Sequence, residues 1–205
     1  MDKAGLVIII PTEFDLRANI AQVEAVLDAA SDYHLACLRL CSAGLSRETL
    51  IKRGDALREI GHKRDISVII DDHVALSQEI GLDGVHLISP EAKVIREARK
   101  ALGKDGIIGV YAGNSRHEGM VAGEIGVDYI AFGPTSDDGL ESPLALPELY
   151  QWWSEMIEVP LVTEGKITST TLMSVKDHVD FVALGEEVFG STDPSAALRA
   201  LLAIL

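Results

Sequence analysis

Residues 66–88, ISVIIDDHVALSQEIGLDGVHLI, contain the unit that decides the fold. The apolar run at 66–70 predicts a strand that is buried on both faces, and a second strand is predicted at 84–88. A short helix is predicted between them and ends at Gly81. Two strands joined through a helix run parallel, because the helix returns the chain to the end where the first strand began. The segment therefore predicts an α/β fold built from strand–helix units.

The same alternation extends over the whole chain. The other strands are predicted at 6–10, 34–40, 107–111, 129–132, 160–163 and 179–184. Helix starts are predicted at the capping residues Asp15, Ser46, Thr168 and Asp193. Eight units without a linker predict one domain over 1–205, a (β/α)₈ TIM barrel with a parallel eight-stranded sheet. An open doubly wound sheet is the alternative, although no Gly-x-Gly-x-x-Gly motif follows the first strand.

The amino-acid composition limits the kinds of molecule that the protein is expected to bind. The chain has 18 Lys and Arg residues against 32 Asp and Glu residues, a formal net charge of −14. This charge argues against nucleic acid or an anionic membrane as a partner. No stretch reaches the ~20 apolar residues that span a bilayer, and the run at 6–10 lacks the features of a signal peptide, so we expect a cytoplasmic protein. Cys37 and Cys41 are predicted to be reduced packing thiols.

In a barrel of this kind the functional residues follow the carboxyl ends of the strands. The candidates at these positions are Arg39, Asp71, Asp72, His73, Glu91, Tyr111, Gly133, Glu164, Gly165, Lys166, Gly185, Glu186 and Glu187. His86 lies in the middle of a predicted strand, where a hydrogen-bonded core residue is more common than a ligand.

Two sets of candidates, the carboxylates after the third and fourth strands and Arg39, allow more than one interpretation. Asp72 and Glu91 follow neighbouring strands and together suit Mg²⁺, which needs only one or two protein carboxylates besides water and phosphate. The simpler interpretation is that Asp71 or Asp72 caps the next helix. Arg39 suits a bidentate grip on a phosphate or carboxylate ligand, and equally an ion pair with Asp71 or Asp72.

The loops after the seventh and eighth strands form the usual phosphate site of this fold. Gly165 and Gly185 would let backbone N–H groups approach an anion there. Against this, Lys166 is the only basic residue of the two loops, and Glu164, Glu186 and Glu187 oppose it. These loops are a poor site for a dianion unless the carboxylates point away.

Five stretches together carry a family resemblance. They are IIDDH at 69–73, GLDGVHL at 81–87, IGV at 108–110, GVDYIAFGP at 126–134 and VPLVTEGKIT at 159–168. In this order and spacing they resemble the thiamine phosphate synthase family, including its thiazole tautomerase (TenI-like) branch. The resemblance implies a (β/α)₈ barrel that joins a pyrimidine pyrophosphate to a thiazole phosphate, with Mg²⁺ assisting the departure of pyrophosphate.

The resemblance also implies roles for individual residues. Arg39 and Asp72 would be catalytic, and Asp72 would share Mg²⁺ with Glu91. The substrate and its phosphates would bind at Arg39, Tyr111, Gly133, Gly165, Lys166 and Gly185.

Several positions depart from the family pattern. Cys41 stands where the family has a lysine, Tyr111 replaces a serine, Lys166 replaces a glycine and Glu186 replaces a serine. The loop at 135–141, TSDDGLE, has no basic residue. Because developing pyrophosphate charge needs fixed positive partners or a metal, we expect thiamine phosphate synthesis to be slow or absent.

Three functions therefore stay open. The first is an enzyme of thiamine metabolism with an altered site that binds a small phosphorylated metabolite. The second is a family member that isomerises another ligand with an acidic residue as base, and the third is a non-catalytic binding or regulatory barrel. Trp152 and Trp153 are adjacent on one predicted helix, which makes one of them a candidate contact in a homo-oligomer.

Overall fold

Eight parallel strands close into a barrel in the computed structural model, which describes residues 3–16, 18–137 and 143–205. Each strand pairs with the next in chain order, and the first pairs with the last. The strands are β1 (Gly5–Ile10), β2 (Leu35–Leu40), β3 (Ser67–Asp71), β4 (Gly84–Leu87), β5 (Ile107–Tyr111), β6 (Tyr129–Phe132), β7 (Leu161–Thr163) and β8 (Phe181–Leu184). The predicted TIM barrel is confirmed, and the open sheet is wrong because β1 and β8 are hydrogen-bonded neighbours.

Helices surround the barrel; those before β8 return the chain from the end of one strand to the start of the next, and two further helices follow β8. They are α1 (Ile20–Ala29), α2 (Arg47–His62), α3 (Val74–Glu79), α4 (Ala92–Leu102), α5 (Arg116–Ile125), α6 (Pro147–Met156), α7 (Ser169–Val175), α8 (Glu186–Phe189) and α9 (Pro194–Leu202), with one 3₁₀ turn at Lys176–His178. Within the described ranges, no helix is long and apolar enough to cross a membrane.

Most of the predicted helix starts are confirmed. The side chains of Ser46, Thr168 and Asp193 each accept a hydrogen bond from a backbone N–H in the first turn of the helix that follows. The prediction for Asp15 is wrong, since α1 begins only after Asn19. The Asp15 carboxylate instead accepts the N–H of Ala18, so it stabilises a turn before the helix.

Side chains on the strands alternate between two cores, as the strand period of two requires. The larger core lies between strands and helices. The smaller core fills the barrel interior and contains Val7, Cys37, Ile69, Tyr129, Ala131, Val162 and Ala183. Two residues beyond Cys37, Ile69 and Val162, the same inward face carries Arg39, Asp71 and Glu164. Alternation therefore places these charged groups at the top of the interior, next to one mouth.

The absence of a side chain at Gly109 leaves the space that the Tyr129 ring fills inside the barrel. A Cβ atom at Gly109 would lie 1.9 Å from Cζ of Tyr129, so β5 must have a glycine at this point. The Tyr129 hydroxyl then reaches Nδ1 of His86 at 2.8 Å.

The two adjacent tryptophans of α6 have different surroundings. Trp153 is fully buried, donates its indole N–H to the Val159 carbonyl at 2.9 Å and packs edge-on against Phe132. Trp152 is half-buried and lies under the Arg116 guanidinium, 4.5 Å from its ring centre. The pair therefore contributes to the outer core mainly through Trp153.

We expect Trp153→Ala to lower the free energy of unfolding by about 3–5 kcal/mol, because it leaves a cavity between α6 and the barrel. Trp152→Ala is the matched control and should cost about 1 kcal/mol, since it loses a partly exposed cation–π contact. Urea denaturation followed by circular dichroism measures both variants. Equal losses would show that the two rings bury comparable surface.

Candidate active site

A cavity of about 520 Å³ opens at the mouth where the carboxyl ends of the strands meet. Tyr111, Gly165, Lys166 and Gly185, all predicted substrate-binding residues, line it. The remaining lining residues are Ile9, Pro11, Thr12, Cys41, Ala43, Asp71, Pro134, Glu164, Ala183, Glu186 and Glu187. Asp72 and Glu91 follow β3 and β4 at the same mouth but lie outside this lining.

A second cavity, of about 600 Å³, lies at the opposite end of the barrel and includes Gly5, His34 and Phe181. These residues lie at or just before the amino ends of strands, where this fold places residues for stability. Asp71, Tyr111, Glu164 and Lys166 line the cavity of about 520 Å³ instead, so we take that cavity as the candidate site.

Arg39 is the centre of a buried ion-pair cluster beneath the site. Its Nε donates to Oδ1 of Asp71 at 2.6 Å, and its Nη1 donates to Oε2 of Glu164 at 2.5 Å. Only 5% of Arg39 is exposed. Burial raises the pKa of both carboxyl groups, and the guanidinium offsets part of that rise. Of the two interpretations of Arg39, the structure shows the ion pair with Asp71, to which Glu164 adds a second carboxylate.

His86 adjoins this cluster and is a core residue, as predicted. It is fully buried, and its Nδ1 shares a hydrogen bond with the Tyr129 hydroxyl. Its Nε2 lies 3.8 Å from Oε2 of Glu164 and has no hydrogen-bond partner among the residues that the structure describes. Burial holds the pKa of His86 well below its usual value, so the imidazole is neutral and does not offset the carboxylate charge.

Asp72 has a left-handed backbone, with φ of +57°, directly after β3. Its Oδ1 accepts the N–H of Ile88 at 3.0 Å and so ties the end of β3 to the end of β4. Neither Asp71 nor Asp72 caps α3, whose N-cap residue is His73, so that interpretation is wrong. Glu91 is the N-cap residue of α4, and its side chain makes no capping hydrogen bond.

The loops after β7 and β8, where a phosphate site is predicted, contain two carboxylates that contact hydrogen-bond donors. Lys166 Nζ lies 3.1 Å from Oε2 of Glu186, and both side chains are largely exposed. The Glu187 carboxylate turns back onto the backbone, where Oε1 accepts the N–H of Ile167 at 2.9 Å and Oε2 accepts the N–H of Gly185 at 3.0 Å. The carboxylates of Glu186 and Glu187 therefore contact Lys166 Nζ and two backbone N–H groups, donors of the kind that an anion would use.

Tyr111 and Gly133 join the loops on the other side of the cavity. The Tyr111 hydroxyl donates to the Gly133 carbonyl at 2.6 Å. A Cβ atom at Gly133 would lie 1.9 Å from the carbonyl oxygen of Glu164, so only glycine allows these two loops to approach. Ser136 donates its hydroxyl to the Lys166 carbonyl at 2.6 Å. Residues 138–141 of the predicted phosphate loop lie outside the described residues.

The lining of the cavity is strongly acidic. Four carboxylates, from Asp71, Glu164, Glu186 and Glu187, face one lysine, Lys166. Both cysteines are free, as predicted, but Cys41 lines the cavity and is only partly a packing residue. Burial raises the pKa of Cys37 and Cys41 to about 12, so the thiols add no negative charge at neutral pH.

Comparison with known proteins identifies the family. A family model described as thiamine monophosphate synthase matches residues 6–188. The chain belongs to the thiamine phosphate synthase family. It is 38% identical to the thiamine-phosphate synthase of Rhodospirillum centenum over 202 residues, which cover 97% of this chain and 96% of that protein. It is 40% identical to the thiamine-phosphate synthase of Hyphomonas neptunium over 156 residues, covering 74% of this chain and 70% of that one.

A solved structure supports the fold of this family member. A thiamine phosphate pyrophosphorylase from Pyrococcus furiosus superposes with a TM-score of 0.82, covering 98% of this chain and 94% of that one. The two sequences are 23% identical, so this likeness speaks for the barrel alone.

Two contacts at the site of this family member were not predicted from the sequence. The pairing of Glu164 with Arg39 crosses 125 residues of chain, and Glu164 was a candidate only as an opposing charge. The contact of Glu187 with two backbone N–H groups had no signal beyond the acidity of the loop. Among the described residues, no group of three or more His, Cys, Asp or Glu side chains is arranged to hold a metal ion.

Arg39→Met should destabilise the protein by about 3–5 kcal/mol at neutral pH, because it leaves two carboxylates buried without a positive partner. A carboxyl group whose pKa is raised on folding stabilises the fold below its unfolded pKa, near 4, and loses that contribution as pH rises through the folded pKa. The variant's loss should therefore grow between about pH 5 and pH 8.

Chemical denaturation at the two pH values measures this dependence. Arg47→Met is the control, because Arg47 pairs with Glu79 in solvent and should have little effect at either pH. A loss for Arg39→Met that is equal at both pH values would contradict a buried-charge origin.

Proposed function

We propose that the protein binds the phosphorylated substrates of thiamine phosphate synthesis at the barrel mouth and joins them far more slowly than relatives with basic phosphate loops. One observation carries the proposal: Arg39 and Lys166, the two basic residues singled out at the mouth, both contact carboxylates. We further propose that the whole chain, 1–205, acts as one domain.

The charge balance explains the slow reaction. In the family reaction the bond between the pyrimidine methylene and pyrophosphate breaks, and the thiazole nitrogen captures the resulting cation. Negative charge then builds up on pyrophosphate and must meet fixed positive groups. Arg39 is already shared by two buried carboxylates, so little of its charge is available to a leaving group. An acidic lining does suit the pyrimidine cation, and it opposes the approach of either phosphate.

Asp72 and Glu91 are the residues that would hold Mg²⁺. Both side chains are exposed carboxylates at the mouth, and oxygen donors of this kind are what Mg²⁺ prefers. When bound, Mg²⁺ would neutralise pyrophosphate charge that Arg39 does not. Asp72 already accepts one backbone N–H, which orients its carboxylate without using all its acceptor capacity.

We propose a cytoplasmic protein whose partner is a small phosphorylated metabolite. The net charge of −14 supports this view, since it disfavours nucleic acid and anionic membranes. A homo-oligomer is compatible with the half-buried ring of Trp152, which lies at the surface beside Arg116.

A second function is favoured by Glu164. This carboxyl group lines the cavity, and burial raises its pKa. A carboxyl group with a raised pKa can take up and return a proton, as an isomerase acting on another ligand requires. Binding without catalysis is the third alternative.

Turnover should decide between these functions. With pyrimidine pyrophosphate, thiazole phosphate and Mg²⁺, we expect the formation of thiamine phosphate to be far slower than for the Rhodospirillum centenum relative, assayed side by side. Family-typical turnover that is lost in both Asp72→Ala and Lys166→Ala would contradict the proposal. A thermal-shift screen of the same compounds detects binding alone, since a ligand at 100 times its Kd adds about 2.7 kcal/mol of stability.

Magnesium should bind weakly by itself, because Mg²⁺ keeps most of its waters when only two carboxylates are offered. Isothermal titration should show no saturable binding of Mg²⁺ alone, and saturable binding in the presence of the pyrimidine pyrophosphate. Asp72→Asn, which keeps the acceptor for Ile88, should remove that binding. Tight binding of Mg²⁺ alone, unchanged in Asp72→Asn, would place the metal elsewhere.

A further inference from the structure

Two backbone N–H groups from different loops meet on one carboxylate at the mouth. Ile167, after β7, and Gly185, after β8, each donate to a separate oxygen of Glu187, at 2.9 and 3.0 Å. The contacts are charge-assisted hydrogen bonds, which are stronger than neutral ones. Because both oxygens are used, the carboxylate takes both N–H donors from which phosphate oxygens could otherwise accept.

We propose that Glu187 is a specificity-determining residue, an internal anion that excludes phosphate from these two N–H groups. The inference rests on the proposed function, because it concerns the phosphate end of the same cavity. It predicts that one side chain lowers the phosphate affinity of this end, separately from the pairing of Lys166 with Glu186.

Glu187 competes effectively with free phosphate because the chain holds its carboxylate close to the two N–H groups. Glu187 lies two residues beyond Gly185, on the short helix α8, so its side chain stays within reach of the N–H groups. A tethered group acts at a high effective concentration, and a free phosphate must displace it from both donors at once. Displacement would also bring two anions close together in a cavity that already has Asp71, Glu164 and Glu186 in its lining.

The charge of Glu187 is felt inside the cavity as well as at its edge. Burial raises the pKa of Glu164, and the negative charges of Asp71 and Glu187 add to that rise although Arg39 opposes it. An incoming phosphate would experience the same repulsion.

Glu187→Ala should therefore raise the affinity for phosphate above that of the wild-type protein. We would titrate the ¹⁵N-labelled full chain with inorganic phosphate at constant ionic strength and follow all backbone amide signals. In Glu187→Ala, phosphate should bind about tenfold or more tightly than in the wild type, with the largest shifts at Ile167 and Gly185.

Two matched variants separate this effect from a change in local charge. Glu186→Gln removes a neighbouring negative charge but leaves the N–H groups of Ile167 and Gly185 bonded to Glu187, so its gain in affinity should be much smaller. Glu124→Gln removes one exposed charge on α5 and should change nothing. Equal gains in Glu187→Ala and Glu186→Gln, or no gain in Glu187→Ala, would overturn the proposal.

Glu187→Gln is the folding control, because it removes the charge and keeps the size of the side chain and one acceptor oxygen for the N–H groups. It should show a gain in phosphate affinity between those of the wild type and Glu187→Ala. Failure of both Glu187 variants to fold would give this residue a structural role and overturn the proposal. The titration with inorganic phosphate measures binding and does not depend on turnover. A gain in phosphate affinity in Glu187→Ala therefore supports the inference even if the protein makes no thiamine phosphate. Conversely, slow synthesis by the wild type without such a gain would refute the inference about Glu187 and leave the proposed function standing.

Discussion

The ion pairs of Arg39 connect three strands through the interior of the barrel. The guanidinium extends from β2 to Asp71 at the end of β3 and to Glu164 just beyond β7. Strands β2 and β7 are not neighbours in the sheet, so only a closed barrel brings these groups together. Because a buried charge without a partner is costly, closure of the barrel and pairing of the charges depend on each other.

The same ion pairs reduce the positive charge that Arg39 offers to an anion at the mouth of the barrel. Arg39 is shared between two carboxylates and Lys166 lies beside Glu186, so the charges of these two basic residues are already offset within the protein. The barrel of the family is retained, and the lining of its mouth contains four carboxylates and one lysine. Loops on a rigid scaffold allow such a lining, because their side chains contribute little to the outer core that holds the fold.

Much of the fold could be predicted from local patterns. Apolar runs located the eight strands, and Ser46, Thr168 and Asp193 marked helix starts because a capping side chain acts on its own next turn. Asp15 failed as a cap because the same side chain can stabilise a turn that precedes the helix. The short helix α8 had no signal, since a single turn lacks the repeated spacing of apolar residues that identifies a longer helix.

The sequence by itself determined the parallel barrel and placed the candidate residues at one mouth, because strand–helix order and the two-residue period of a strand are local properties. Tyr111, Gly165, Lys166 and Gly185 meet at the cavity for that reason. Only the tertiary structure decided the partner of each charge. Glu164 meets Arg39 across the barrel, and Glu187 meets Ile167 across two loops, because these contacts depend on barrel closure and loop conformation rather than on neighbouring residues.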